Sequence, residues 1–283
     1  MKKKPFGNTG VDVAVIGQGT WNVSETGARA NQARSAIRCG IELGMTHLDT
    51  AEMYGAGRVE ELLRDVIAGF PRESLFIATK VLPSNARYAG TLAAAERSLT
   101  RMGLEYVDLY MLHWPGDHPL EETMRALERL VRDGKTRYVG VSNFDADEMI
   151  EAAGYLNDVP LACNQVLYHL NARGVEHRVI PVAREHGIAV VAYTPFGRGA
   201  FPGLKSAGGT ALEAIARKHG ATPRQVILAF LTRENNVFTI PKASHIEHVR
   251  ENAGAADLTL DAHDVAAIDA AFPRGEPEAL GML

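Results

Sequence analysis

Val107-Asp108-Leu109-Tyr110-Met111-Leu112-His113 is a largely apolar run that ends on a polar residue, and Thr136-Arg137-Tyr138-Val139-Gly140-Val141-Ser142 repeats that form downstream. Between the two, Met124, Leu127, Leu130 and Val131 recur at three- and four-residue steps, which lays an apolar stripe along one face of a helix. Pro119 suits the first turn of that helix and Gly134 the position just past its end. The stretch reads as strand, helix, strand, with strand centres about 30 residues apart, the length of one βαβ unit.

The same unit recurs outward in both directions. Candidate strands are Val15–Gly19, Thr46–Asp49, Leu75–Lys80, Val107–His113, Thr136–Ser142, Leu161–Val166, Ala189–Tyr193 and Val237–Ile240. Helical patterns separate them, as in the stripe of Leu92, Ala95, Leu99 and Met102. Asp145-Ala146-Asp147-Glu148 has the form of a capping box, and Gly187 and Gly220 suit helix ends. Eight strands, seven helical crossovers and a final helix at about Asp261–Ala271 make eight units. Eight is the number that closes a (β/α)8 TIM barrel, an α/β fold of about 250 residues. The competing doubly wound sheet needs a phosphate-binding glycine fingerprint after an early strand. Gly17-Gln18-Gly19 has two of the glycines, but Asn22 stands where the third belongs, and Gly55-Ala56-Gly57 is followed by Glu60.

Two segments lie outside the eight-fold count. Phe6 leads into Gly7-Asn8-Thr9-Gly10, a turn signal, and Val11, Val13 and Val15 then alternate, so a hairpin is expected that caps the bottom of the barrel. The interval between strands seven and eight holds Gly197, Gly199, Gly203, Gly208 and Gly209, a helix near Ala211–His219 and another after Thr222-Pro223. A glycine-rich insertion at a strand end is a candidate active-site loop, with a flexible connector as the plain alternative.

Composition bounds the partners. Of 283 residues, 46% are hydrophobic, enough for a real core, and the eight units use nearly the whole chain, so residues 1–283 are expected to form one domain. Thirty basic against 34 acidic residues give a net charge of −4, without the basic footprint that nucleic acid or an anionic membrane surface requires. Two cysteines suit a reducing compartment. Lys2-Lys3-Lys4 resembles the start of a signal peptide, yet no apolar run follows and no stretch is long enough to span a membrane. A cytoplasmic monomer or weak oligomer acting on small molecules is expected.

A barrel carries its chemistry at the carboxyl ends of its strands. Here those ends are Asp49, Lys80, His113, Ser142-Asn143, Asn164-Gln165 and Tyr193-Thr194, with Lys242 just after strand eight. A buried ion pair with a satisfied histidine would explain any one of them. Tyr54, five residues beyond Asp49 in the Ala51-Glu52-Met53-Tyr54-Gly55 loop, changes the reading of the set. A tyrosine is a poor acid at neutral pH, and a nearby ammonium lowers its pKa. Lys80 is placed to supply that ammonium, Asp49 to hold it and His113 to donate to a ligand oxygen. Such a group suits protonation of an oxygen that becomes an alkoxide, which carbonyl reduction requires.

With these residues in view the sequence resembles the aldo-keto reductases. Asn8-Thr9-Gly10 with Ile16-Gly17-Gln18-Gly19-Thr20-Trp21, Leu48-Asp49-Thr50-Ala51-Glu52-Met53-Tyr54-Gly55, Ala78-Thr79-Lys80, Leu112-His113-Trp114-Pro115, Gly140-Val141-Ser142-Asn143-Phe144, Asn164-Gln165-Val166 and Ile240-Pro241-Lys242 follow that family's motifs in order. The resemblance runs from about Phe6 to Asn252. It implies a barrel that binds NADP(H) or NAD(H) without a Rossmann domain and transfers hydride from nicotinamide C4 to an aldehyde, ketone or dicarbonyl. It further implies Tyr54 as general acid, tuned by Lys80 and Asp49, with His113 orienting the carbonyl. Ser142, Asn143 and Gln165 would hold the carboxamide, and Tyr193 would underlie the nicotinamide ring. Thr194, Phe196 and Gly197 would line the pyrophosphate path, and Lys242, Ala243, His248, Glu251 and Asn252 the adenosine end, with Gly19, Thr20 and Trp21 also among the cofactor-binding residues. Trp21, Tyr54, His113 and Trp114 would face the substrate, although ordinary packing also accounts for the two tryptophans. The short stretch after Phe272 leaves little material for a long specificity loop, so an open pocket is expected.

The chain departs from the pattern at the adenosine end. Ala243 and His248 stand where many NADPH-binding members have serine and arginine. Arginine grips a phosphate bidentately and neutral histidine does not, so NADP(H) is favoured with NAD(H) or dual use open. Gln18 replaces an apolar residue. His245 and His248 have helical metal-ligand spacing but lack a third ligand, and no metal is expected. A cofactor-binding regulatory subunit and a barrel isomerase or lyase remain as alternatives.

Overall fold

The structure, a computed structural model, describes residues 1–199, 201–203, 206–276 and 280–281. A short antiparallel hairpin comes first: β1 (Lys3–Pro5) pairs with β2 (Asp12–Ala14). Eight parallel strands follow in one sheet, β3 (Gln18–Gly19), β4 (His47–Asp49), β5 (Phe76–Val81), β6 (Val107–Leu112), β7 (Thr136–Ser142), β8 (Leu161–Leu167), β9 (Ala189–Tyr193) and β10 (Val237–Thr239), each beside its sequence neighbour. A parallel bridge between Ile16 and Thr239 brings the first and last strands together. There the Gly17 amide donates to the Thr239 carbonyl at 2.8 Å and the Thr239 amide to the Val15 carbonyl at 3.0 Å, so the sheet closes into a (β/α)8 barrel. The first strand is shorter than the sequence pattern suggested, because regular pairing is confined to Gln18–Gly19 and Ile16 joins by the bridge alone.

Helices α1 (Gly27–Glu42), α2 (Arg58–Ile67), α3 (Tyr88–Met102), α4 (Leu120–Arg132), α5 (Ala146–Gly154) and α6 (Val179–Glu185) link the first seven barrel strands. The predicted capping box at the start of α5 is present, with Asp145 accepting from the Asp147 and Glu148 amides and Glu148 reaching back to the Asp145 amide. Between β9 and β10 lie α7 (Ala207–His219) and α8 (Pro223–Leu231), the latter opened by a capping box of Thr222 and Gln225. The helix that completes the eighth unit is α9 (Ile246–Gly254), which packs on α1. The helix at Asp261–Ala271, counted as that eighth element from the sequence, is an additional one, α10 (Ala262–Ala271), and packs on α7 instead.

The hairpin closes the amino-terminal end of the barrel as expected. Phe6, wholly buried, sets its ring 4.9 Å from Phe76 on β5 and 5.0 Å from Phe238 on β10, two strands that are not neighbours in the sheet. Plugging that end leaves the carboxyl-terminal mouth as the open one. Gln18 also has a structural account: its buried amide donates to the carbonyls of Ile37 (3.2 Å) and Met45 (3.0 Å), tying β3 to α1 and the turn beyond it. Among the described residues no helix is long and apolar enough to cross a membrane.

Candidate active site

Asp49, Lys80 and Gln165 lie on β4, β5 and β8 and are buried at the mouth end of the barrel. The Lys80 ammonium donates to Asp49 Oδ1 at 2.7 Å and to the Thr50 carbonyl at 2.9 Å, and Gln165 Nε2 donates to Asp49 Oδ2 at 2.7 Å. Both carboxylate oxygens are therefore engaged, and the charge on Lys80 is matched by an immediate neighbour. Asp49 and the phenol together hold the Lys80 pKa above its usual value in spite of burial.

Tyr54 comes back over this pair because the chain reverses directly after it. Gly55, Ala56 and Gly57 all take positive φ (57°, 54° and 90°), a left-handed run in which two glycines carry most of the turn. The phenolic oxygen stands 3.4 Å from Lys80 Nζ. Burial raises the Tyr54 pKa above 10; the Lys80 ammonium pulls it down and Asp49 pushes it up, and burial prevails. The sequence reading gave the ammonium the larger effect, and at the buried base of the mouth cavity it is second to desolvation.

His113 follows β6, its ring 5.8 Å from that of Tyr54 at 72°. Burial, helped by the charge on Lys80, drives its pKa down to about 2, so the imidazole is neutral and able to donate from one nitrogen. On the far wall Tyr193 donates to Asn143 Oδ1 at 2.8 Å, while Asn143 Nδ2 donates to the His113 carbonyl and to Ser142 Oγ. Asn143 holds φ at +63° to do this. Asn22, Ala56, Thr194 and Arg198 are likewise non-glycine residues at positive φ, and all five sit in loops leaving strand carboxyl ends, where strain concentrates at working sites.

These groups open onto a cavity of about 570 Å³. Of the residues singled out from sequence, Gly19, Trp21, Asp49, Tyr54, His113, Trp114, Asn143, Gln165, Tyr193, Thr194, Phe196 and Lys242 line it. Thr20 is buried behind the wall, its hydroxyl on the Asp49 carbonyl, and Ser142 is reached through Asn143. Gly197 lines a small adjoining cleft. Ala243 packs against the core cluster that includes Val15, Ile16 and Ala36, and Asn252 is buried in α9. Glu251 accepts from the Thr222 hydroxyl at 2.7 Å. His248 is exposed beside His245 and does not line the cavity.

Sequence reading missed Asn22, Met53, Arg198, Phe201 and Arg224, which also line it. Arg198 and Phe201 fall in the glycine-rich insertion already suspected as an active-site loop. Arg224 belongs to the first turn of α8 and gave no strand-end signal. The Arg198 guanidinium lies 4.5 Å above the Trp21 ring, and that of Arg224 lies 4.9 Å from the ring of Phe196 and 5.0 Å from that of Phe201.

A closed parallel barrel with an acid, its buried ion pair and a neutral imidazole at the mouth defines a class of proteins equipped to protonate a ligand oxygen. The chain belongs to the aldo/keto reductase family, whose model matches residues 15–272. It is 39% identical over 266 residues to methylglyoxal reductase YeaE of Escherichia coli strain K12, 93% of this chain and 92% of that one. Glyoxal reductase of Bacillus subtilis strain 168 is 35% identical over 269 residues, 93% of this chain and 90% of its own length. The crystal structure of an aldo-keto reductase from Klebsiella pneumoniae in complex with NADPH matches with a TM-score of 0.92 at 38% identity, over 100% of both chains.

Proposed function

We propose that this protein is an NAD(P)H-dependent reductase that converts small aldehydes, ketones and dicarbonyls to alcohols, with NADP(H) its favoured cofactor. The observation that carries the reading is the Lys80 ammonium, bonded to Asp49 at 2.7 Å and 3.4 Å from the Tyr54 hydroxyl at the floor of the cavity. The relatives named for methylglyoxal and glyoxal support the substrate class, and the neighbour solved with NADPH supports the cofactor.

The residues present fit a nicotinamide dinucleotide. Arg198, Arg224 and Lys242 line one cavity, and among the described residues Lys242 has no hydrogen-bond or ion-pair partner, as suits an anionic ligand. Bound there, the cofactor supplies a hydride from nicotinamide C4 to the carbonyl carbon. Tyr54 donates the proton that the carbonyl oxygen takes up, so one hydride and one proton make the alcohol. Lys80 stabilises the phenolate left behind, and Asp49 keeps Lys80 charged and in place. Neutral His113 donates to the same oxygen and polarises it without consuming the proton. Tyr193 offers its ring face to the nicotinamide, with its hydroxyl anchored by Asn143. Trp21, Met53 and Trp114 form the apolar rim where the substrate's other substituents rest.

Purified protein mixed with NADPH or NADH and a carbonyl panel should consume the reduced cofactor, fastest with small dicarbonyls. Absence of consumption across the panel would refute the reading. We infer further that residues 1–283 act as one domain, in the cytoplasm, as a monomer or weak oligomer. The net charge of −4 supports small-molecule partners over nucleic acid.

A further inference from the structure

We propose that Arg224, and not His248, is the residue of this chain that selects NADPH over NADH by gripping the adenosine 2′-phosphate. The inference rests on the dinucleotide reading above and adds a residue that the resemblance did not supply. His248 occupies the expected position on α9 but is exposed, turned toward His245 with ring centroids 5.5 Å apart, and is absent from the cavity wall. Arg224 approaches from a different element, the first turn of α8, and does line the cavity together with Lys242.

Its surroundings leave the charge available. The guanidinium stands 4.9 Å from the ring of Phe196 and 5.0 Å from that of Phe201, cation–π contacts that do not consume its N–H donors. Among the described residues its one ion-pair partner is Glu251 on α9, at 4.0 Å, the outer limit of such a contact and beyond hydrogen-bond range, so its N–H donors stay open to a ligand. Glu251 is instead committed to the Thr222 hydroxyl at 2.7 Å, which locks α9 to the start of α8. Arg224 is thus held where α8 meets α9, and it lines the cavity with Lys242, the residue that the resemblance assigns to the adenosine end. A rigid fork of donors lining the same cavity as an ammonium that has no partner among the described residues matches a phosphate dianion. The second negative charge of that phosphate gives the pair its selectivity, because NADH presents only a hydroxyl there.

Equilibrium binding tests this without relying on turnover. Trp21 and Trp114 are the chain's two tryptophans and both line the cavity, so their fluorescence reports occupancy. Dissociation constants for NADPH, NADH, 2′-AMP and 5′-AMP are to be measured for the unaltered protein and for Arg224→Ala, Arg224→Gln and His248→Ala, with circular dichroism confirming the fold. Arg224→Ala and Arg224→Gln should weaken NADPH and 2′-AMP about tenfold or more and leave NADH and 5′-AMP within about twofold. His248→Ala should leave all four within about twofold. Equal weakening of NADPH and NADH, or a larger loss of NADPH in His248→Ala than in Arg224→Ala, overturns the assignment. If the unaltered protein binds neither dinucleotide, the functional reading itself fails, and that outcome is distinct from both.

Discussion

Lys80 Nζ stands 3.4 Å from the phenolic oxygen of Tyr54, and among the described residues no other side chain hydrogen-bonds that oxygen. The phenol therefore contributes little to holding the fold, and its removal isolates the chemistry. Tyr54→Phe should lower kcat/KM by about 10²- to 10⁴-fold, the usual value of a positioned acid. The dissociation constant for NADPH should stay within about twofold. Steady-state kinetics beside a fluorescence titration check both, and near-normal turnover removes Tyr54 from the acid's role.

The Asp49–Lys80 pair makes a different prediction, about stability. Both groups are almost wholly buried at 2.7 Å separation. Asp49→Asn leaves an ammonium buried without its counter-charge, and loss of one partner of such a pair costs about 3–5 kcal/mol. Asp49→Asn combined with Lys80→Met removes both charges and should recover a substantial part of that loss, while activity stays abolished. Urea unfolding of the two single variants and the double variant measures the coupling. Additive losses would show that the pair does not act as one unit.

His47 gives the barrel an acid-sensitive floor. Its ring is wholly buried, neither nitrogen has a hydrogen-bond partner among the described residues, and Phe6 and Phe76 present their rings at 6.0 and 5.3 Å. Burial first, and the charge on Lys80 second, push its pKa down to about 3. The unfolded chain, with a histidine near 6.5, binds more protons between those values, so stability is full above about pH 6.5 and falls as pH drops toward 3. The slope approaches about 1.4 kcal/mol per pH unit for one such group, and His113, lowered to about 2, adds its own. Unfolding free energies measured from pH 6.5 to 4.5 should fall less steeply in His47→Leu. An equal slope in both proteins would mean that His47 is solvated in solution.

The fold was legible because strand and helix periods differ and the polar residues punctuate the strand ends; Asp49, Lys80 and His113 were found by position alone. What escaped was set by the third dimension. Arg224 reaches the cavity from a helix start, where sequence offers a capping signal and no hint of what the next side chain faces. The left-handed run at Gly55, Ala56 and Gly57 gave no clear signature because one of its three residues is alanine. The sign of the Tyr54 shift also depended on burial, which spacing along the chain does not report. The final helix was miscounted because α10 opens with a clear capping box at Asp261, while α9 is entered at His245 with no side-chain cap to signal it.

Gly40 and Gln18 make the last prediction, and it reverses an ordinary rule. Gly40 is an interior residue of α1, where replacement by alanine is normally favourable by about 1 kcal/mol through the unfolded chain's entropy and helix propensity. Here a methyl group on Gly40 would overlap the side-chain amide of Gln18, which is buried and bound to the carbonyls of Ile37 and Met45. Gly40→Ala must therefore displace that amide and break its two hydrogen bonds, at a cost of about 1–3 kcal/mol for the acceptors left behind. The substitution should destabilise the protein. In a Gln18→Ala background the space is already clear and the carbonyls have already lost their donor, so the same Gly40→Ala change should be neutral or stabilising. A double-mutant cycle in urea should yield a coupling of at least about 1 kcal/mol. Independent effects would show that α1 shifts to admit the methyl group and that Gln18 does not fix its distance from β3.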